Sequence, residues 1–120
     1  MDPLKRSQTD DTVHRLLSAW ELLRTQHREI PAQAVTVFLY VASHNPCHKQ
    51  AIEEDQELTT ASCSRMLSFL TSKTRPGCLY PSGLDLVEKY TDPSNGRRFM
   101  VKLTPKGKAI LSAIKEIIYD

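Results

Sequence analysis

Only three cysteines occur in the 120 residues, Cys47, Cys63 and Cys78, so at least one thiol stays unpaired and no disulfide framework is suggested. A reduced, intracellular protein is the expectation. Glycine is scarce, four in all, and no phosphate-cradling P-loop or Gly-rich dinucleotide turn occurs. G-x-S-x-G and His-Glu-x-x-His are absent too. No apolar run approaches the ~20 residues a membrane span needs. The opening MDPLKRSQTDDT lacks the apolar stretch of a secretory signal. His14, His27, His44 and His48 are scattered, without an evident acid or nucleophile partner, so catalysis is not expected. His44, Cys47 and His48 lie close together, but a closed zinc site wants four ligands. Neither metal nor cofactor is therefore expected.

What remains is an ordinary globular composition, 40% hydrophobic and 25% charged, at a length that buries a real core as one domain, 1–120. The formal net charge of +2 hides an asymmetry. Residues 61–108 carry nine basic against three acidic side chains, a balance of +6, whereas residues 31–60 carry one against four, a balance of −3. A basic half beside an acidic patch suits a protein that turns one face to a polyanion.

Helical spacing recurs along the chain. Val13, Leu16, Leu17, Trp20, Leu23 and His27 fall at three- and four-residue steps, which predicts a first helix within 10–29, capped by Asp10 or Asp11, with Trp20 in a packed seam. PAQAVTVFLYVAS presents Val35, Phe38, Leu39 and Ala42, and His44-Asn45-Pro46 ends it. KQAIEEDQ reads as a short third helix held by Ala51 and Ile52. Thr59 or Thr60 caps a fourth, 60–73, whose apolar stripe is Cys63, Met66, Leu67 and Leu70. Cys63 is thereby core, and Cys78, near Arg75 in a loop, is the better candidate for redox chemistry. Ser62, Ser64, Arg65 and Ser68 lie outside the stripe, a lean polar face able to approach a groove closely. TRPGCLYPSG is a loop. LDLVEKY and RRFMVKL flank TDPSNG and read as a hairpin with a loop longer than two residues. Thr104 and Pro105 start a last helix striped by Ile110, Leu111, Ile114, Ile117 and Ile118.

Helices followed by a hairpin is the order of a winged helix-turn-helix, mainly α with a small β wing. Helix 60–73 would fit a major groove about 12 Å wide, and the hairpin would reach the next groove or the phosphates. NGRRFMVKLTPKG resembles the wing signature of the multiple-antibiotic-resistance-regulator (MarR) family, D-x-R, five residues, then L-T. Arg97 stands at its arginine and Leu103-Thr104 at its Leu-Thr, with Asn95 in place of its aspartate. LTTASCSRMLSFL is similar to its recognition-helix pattern, and Gly83-Leu84 to the pair that opens the wing.

The resemblance implies a homodimeric regulator of transcription. Its DNA readers would be Thr60, Ala61, Ser62, Ser64 and Arg65 on the helix and Arg97 on the wing. Ser68 and Lys73 extend the helix set, and Arg98 is added on charge. The dimer interface would use the helices within 10–29 and 105–119, through Leu16, Leu17, Trp20, Leu23, Ile114, Ile117 and Ile118. Helix-turn-helix 49–73 and wing 84–103 complete the layout. Glu53 replaces a small apolar residue of the pattern, and Glu57 stands where the inter-helix turn prefers Gly. Residues 74–82 are an insertion, and the last helix is short. The expected protein is cytoplasmic, bacterial or encoded by a phage or plasmid, and most simply a repressor with no required effector. The alternative from another class is a winged-helix module that binds polymerase or another DNA-binding protein.

Overall fold

Asp10 is extended and its carboxylate accepts from the backbone N–H of Val13, which starts α1 at Asp11–Arg24. A computed structural model describes residues 6–72 and 83–119. The first helix is shorter than its stripe predicts. Thr25 turns its hydroxyl back to the carbonyl of Leu22 at 2.6 Å, Arg24 Nε donates to the carbonyl of Arg28, and residues 25–26 and 28–29 form turns. His27 leaves the stripe and meets the Phe69 ring edge-on, with centroids 5.2 Å apart.

The second helix, α2 (Ala32–Ser43), is the centre of the core, with Ala34, Val35, Val37, Phe38 and Val41 all buried. Five buried residues form one broad face, while Gln33, Thr36 and Leu39 stay exposed, and burial of that face explains the dense apolar sequence despite three β-branched valines. After the turn at His44 comes a two-residue strand, β1 (Cys47–His48), then α3 (Lys49–Asp55) and α4 (Thr60–Leu70). Thr59 caps α4 by accepting from the N–H of Ser62 at 3.0 Å. The helix stops at Leu70, earlier than residue 73, where Thr71 becomes extended. Besides the expected stripe, α4 buries Phe69.

The wing is β2 (Val87–Asp92) and β3 (Asn95–Leu103), and β3 pairs antiparallel with both β1 and β2 in the order β1-β3-β2. Its connection is tighter than expected, only Pro93 and Ser94. The extra length sits instead in β3, where the register slips between Thr91↔Phe99 and Asp92↔Asn95, leaving Gly96, Arg97 and Arg98 in a bulge. The last helix, α5 (Pro105–Tyr119), is capped by Thr104, whose hydroxyl accepts from the N–H of Gly107 at 2.9 Å and donates to the carbonyl of Asp85 at 2.6 Å. It packs along α1, and Arg15 joins the pair by donating to the carbonyl of Ile118 at 3.0 Å.

Candidate nucleic-acid interface

Lys49 is a buried cation and needs a partner. Its ammonium pairs with Glu53 one turn along α3 and also donates to the carbonyl of Thr60 at 3.4 Å. The second oxygen of Glu53 accepts from the Thr60 hydroxyl at 3.1 Å. The departure from the family pattern at Glu53 therefore has a local explanation: the carboxylate satisfies Lys49 and ties α3 to the first residue of α4. The turn between the two helices bends through Glu57 at φ 53°, the left-handed conformation that its glycine-preferring position requires.

Held this way, α4 presents Ala61 and Arg65 exposed and Ser62, Ser64 and Ser68 half-buried. The Arg65 guanidinium donates to the Ser62 hydroxyl at 3.1 Å, lying along the helix rather than away from it. Thr60 is exposed, but its hydroxyl is engaged with Glu53. Cys63 lies at the centre of the inward face, and burial pushes its thiol up to about 11, as it does that of Cys47. Lys73, Arg75 and Cys78 fall outside the described residues.

The wing tip is braced from below. Asp92 is buried and its carboxylate accepts from the N–H and the hydroxyl of Ser94, each at 2.9 Å, while the other oxygen lies 3.0 Å from His48 Nε2 on β1. The Ser94 N–H, then His48, then the Ser94 hydroxyl hold its carboxyl below the usual carboxylate range. Asn95, in place of the family's acid, accepts from the backbone N–H of Arg97 at 3.1 Å. It shapes the bulge and leaves the guanidinium alone. Arg97 and Arg98 are exposed, and neither side chain has an ion-pair or hydrogen-bond partner among the described residues. Between α4 and β2 lies a cavity of about 610 Å³, lined by Leu67, Ser68 and Thr71 on one side and Val87 and Lys89 on the other.

The helices proposed for dimerisation divide into two kinds of residue. Leu23 and Ile114 belong to the buried core of this chain, with Ile117 packed partly against it. Leu16, Leu17, Trp20 and Ile118 are exposed, and Val13 and Tyr119 extend the same surface, two residues that a stripe alone did not single out as interfacial.

No protein-family model matches the chain, and no curated protein matches it in sequence. Solved structures do. A mutant MarR from E. coli complexed with operator DNA is 20% identical, with a TM-score of 0.60 over 89% of this chain and 71% of that one. A MepR–DNA complex from S. aureus is 18% identical, with a TM-score of 0.66 over 88% and 77%. A probable transcriptional regulator from Pseudomonas aeruginosa is 17% identical, with a TM-score of 0.59 over 88% and 71%. The chain has the MarR-type winged-helix fold. In this fold the β2–β3 hairpin is the wing, beside a helical body that contains α3 and α4. No helix among the described residues is long and apolar enough to cross a membrane.

Proposed function

We propose that the protein is a sequence-specific, double-stranded-DNA-binding regulator of transcription. In this reading α4 enters the major groove and the Arg97–Arg98 bulge meets the minor groove or phosphates. The observation that carries it is the pair of guanidinium groups, without a partner among the described residues, on a braced wing beside a helix that presents exposed Ala61 and Arg65 and half-buried Ser62 and Ser64. Arginine is suited to both roles, bridging phosphates and fitting a narrow, electronegative minor groove. The same fold is seen on DNA in MarR and MepR. The chain acts as a homodimer through the exposed parts of α1 and α5, as a cytoplasmic repressor by occupying its site, without catalysis or cofactor.

Selection of bound sites from random duplexes, followed by affinity measurements across a salt series, tests the proposal. The selected site should be a pseudo-palindrome, matching a two-fold dimer. Arg97→Ala should weaken every duplex similarly, whereas Arg65→Ala should alter base preference by ~1–3 kcal/mol at the position it reads. Failure to enrich any duplex, or indifference to both substitutions, would favour the protein-binding module instead.

A further inference from the structure

Phe99 is 46% exposed on a strand whose neighbouring same-face residues are buried. Alternation along β3 puts it on the side of Val101 and Leu103, and the register places Lys89 and Val87 opposite those two residues, on the same face. This face therefore begins as core, with Val87, Val101 and Leu103 buried, and continues outward as Lys89 and Phe99. The Lys89 ammonium stands 4.8 Å from the centroid of the Phe99 ring. Lys89 also lines, with Asp85, Val87 and Glu88, the cavity against Leu67, Ser68 and Thr71 of α4, which places it beside that helix. Among the described residues the ring pairs with no other aromatic ring and is not part of the buried core.

The surroundings select the chemistry of whatever covers that ring. The hairpin carries Lys89, Arg97, Arg98 and Lys102 against Glu88 and Asp92. Asp92 is already engaged with Ser94 and His48. Lys102 lies on the other face, over Tyr90, so the cations on the side of the ring are Lys89 at its face and the Arg97–Arg98 bulge next along the strand. A large apolar ring with such neighbours fits a partner that alternates apolar and anionic groups at short range. A sugar–phosphate backbone does so: each deoxyribose offers C–H surface beside a phosphate.

We propose that Phe99 and Lys89 form a second DNA-contacting element of the wing, separate from the arginine bulge. The ring packs on a deoxyribose and the ammonium meets the adjoining phosphate. This rests on the DNA-binding reading above. The element is indifferent to base identity; it adds grip and fixes the register of the wing relative to α4. The cation–π contact holds the ring and the ammonium together before DNA arrives, so less freedom is lost on binding.

The test uses the full chain and a duplex selected from a random pool, with binding followed by fluorescence anisotropy at several salt concentrations. Phe99→Ala should lose about 5- to 20-fold in affinity at every salt concentration with the log–log salt slope unchanged, because an apolar contact releases no counterion. Phe99→Tyr keeps the ring and should stay within about two-fold of wild type. Lys89→Gln should reduce the slope by about 0.9, the share of one phosphate contact. Thermal unfolding checks that each variant is folded, and Phe99→Gln repeats the ring deletion if alanine lowers the melting midpoint. If wild type binds and Arg97→Ala weakens it while ring deletion changes nothing, the Phe99 element is wrong and the DNA-binding reading stands. A ring deletion that flattens the salt slope would also overturn it. If wild type binds no duplex, both readings fall together.

Discussion

The hydroxyl of Thr60 donates to Oε1 of Glu53 at 3.1 Å, while the other oxygen of that carboxylate pairs with the buried ammonium of Lys49. Three residues of two helices are thus one electrostatic unit at the base of the candidate reading helix. Replacing Glu53 by Ala leaves Lys49 buried without its counter-ion. It should cost about 3 kcal/mol in chemical denaturation, as removal of one member of a buried pair does. Replacing both, as Lys49→Met with Glu53→Leu, should cost less than about 1 kcal/mol, because apolar groups of similar volume need no partner. A double variant as unstable as Glu53→Ala would show that the pair contributes more than mutual neutralisation.

Gly107 and Gly96 should differ sharply in their tolerance of alanine. A Cβ on Gly107 would stand 2.1 Å from the carbonyl oxygen of Leu86, a backbone atom that cannot swing aside, whereas one on Gly96 would meet nothing within 4 Å. Gly107→Ala is therefore expected to destabilise by about 3 kcal/mol, the upper end for overpacking. Gly96→Ala should change stability by less than about 0.5 kcal/mol. Melting midpoints of the two variants decide the matter.

Glu57 is held at φ 53°, where a side chain costs about 1–2 kcal/mol and glycine does not. Glycine gives some of that back through the greater freedom of its unfolded chain. Glu57→Gly should on balance raise stability by up to about 1 kcal/mol, read as a higher denaturant midpoint at unchanged slope.

Much of this was readable beforehand, and the boundary between the readable and the hidden is physical. Caps are local, so Thr104 could be found from its own neighbourhood, and the caps of α1 and α4 could be narrowed to Asp10 or Asp11 and Thr59 or Thr60, of which Asp10 and Thr59 serve. The requirement for a left-handed residue at Glu57 was also visible, because the inter-helix turn it replaces prefers Gly. Strand β1 was not visible. Two residues carry no periodicity, and Cys47 and His48 become a strand only by pairing with Val101 and Met100. The tight wing turn was hidden for a related reason. TDPSNG contains turn residues throughout, and only the capture of the Ser94 N–H by Asp92 fixes which two make the turn. The partners of Thr60 and Arg65 were likewise out of reach, since they depend on how a partner side chain is oriented.

Asp92 makes stability of the wing depend on acid. Its carboxyl is held below the ordinary range by the Ser94 N–H first, then by His48 and the Ser94 hydroxyl. A depressed carboxyl contributes its full stabilisation above the unfolded value near 3.8 and loses it as pH falls through the lower folded value. Wild type should therefore lose stability on acidification below about pH 4 more steeply than Asp92→Asn, which has no carboxyl to protonate. The two melting-midpoint curves, recorded between neutral and acid pH, should converge at the acid end; parallel curves would remove Asp92 from this role.

The exposed row on α1 separates a role between chains from a role within one. Leu16 is 62% exposed and Trp20 39%, whereas Leu23 on the same helix is 3% exposed and belongs to the core. If the exposed residues meet a second copy of the chain, Leu16→Asp places a charge in that contact without touching the core. Burying an unpaired carboxylate is costly enough to raise the dimer dissociation constant by at least about 100-fold. The variant should sediment as a folded monomer with unchanged helical circular dichroism. Leu23→Asp should instead abolish the fold, because it puts the same charge inside the single chain. A Leu16→Asp protein that sediments as wild type would remove this surface from the dimer. In a dimer that needs it, operator affinity should fall in step, since each half-site would then be bound alone.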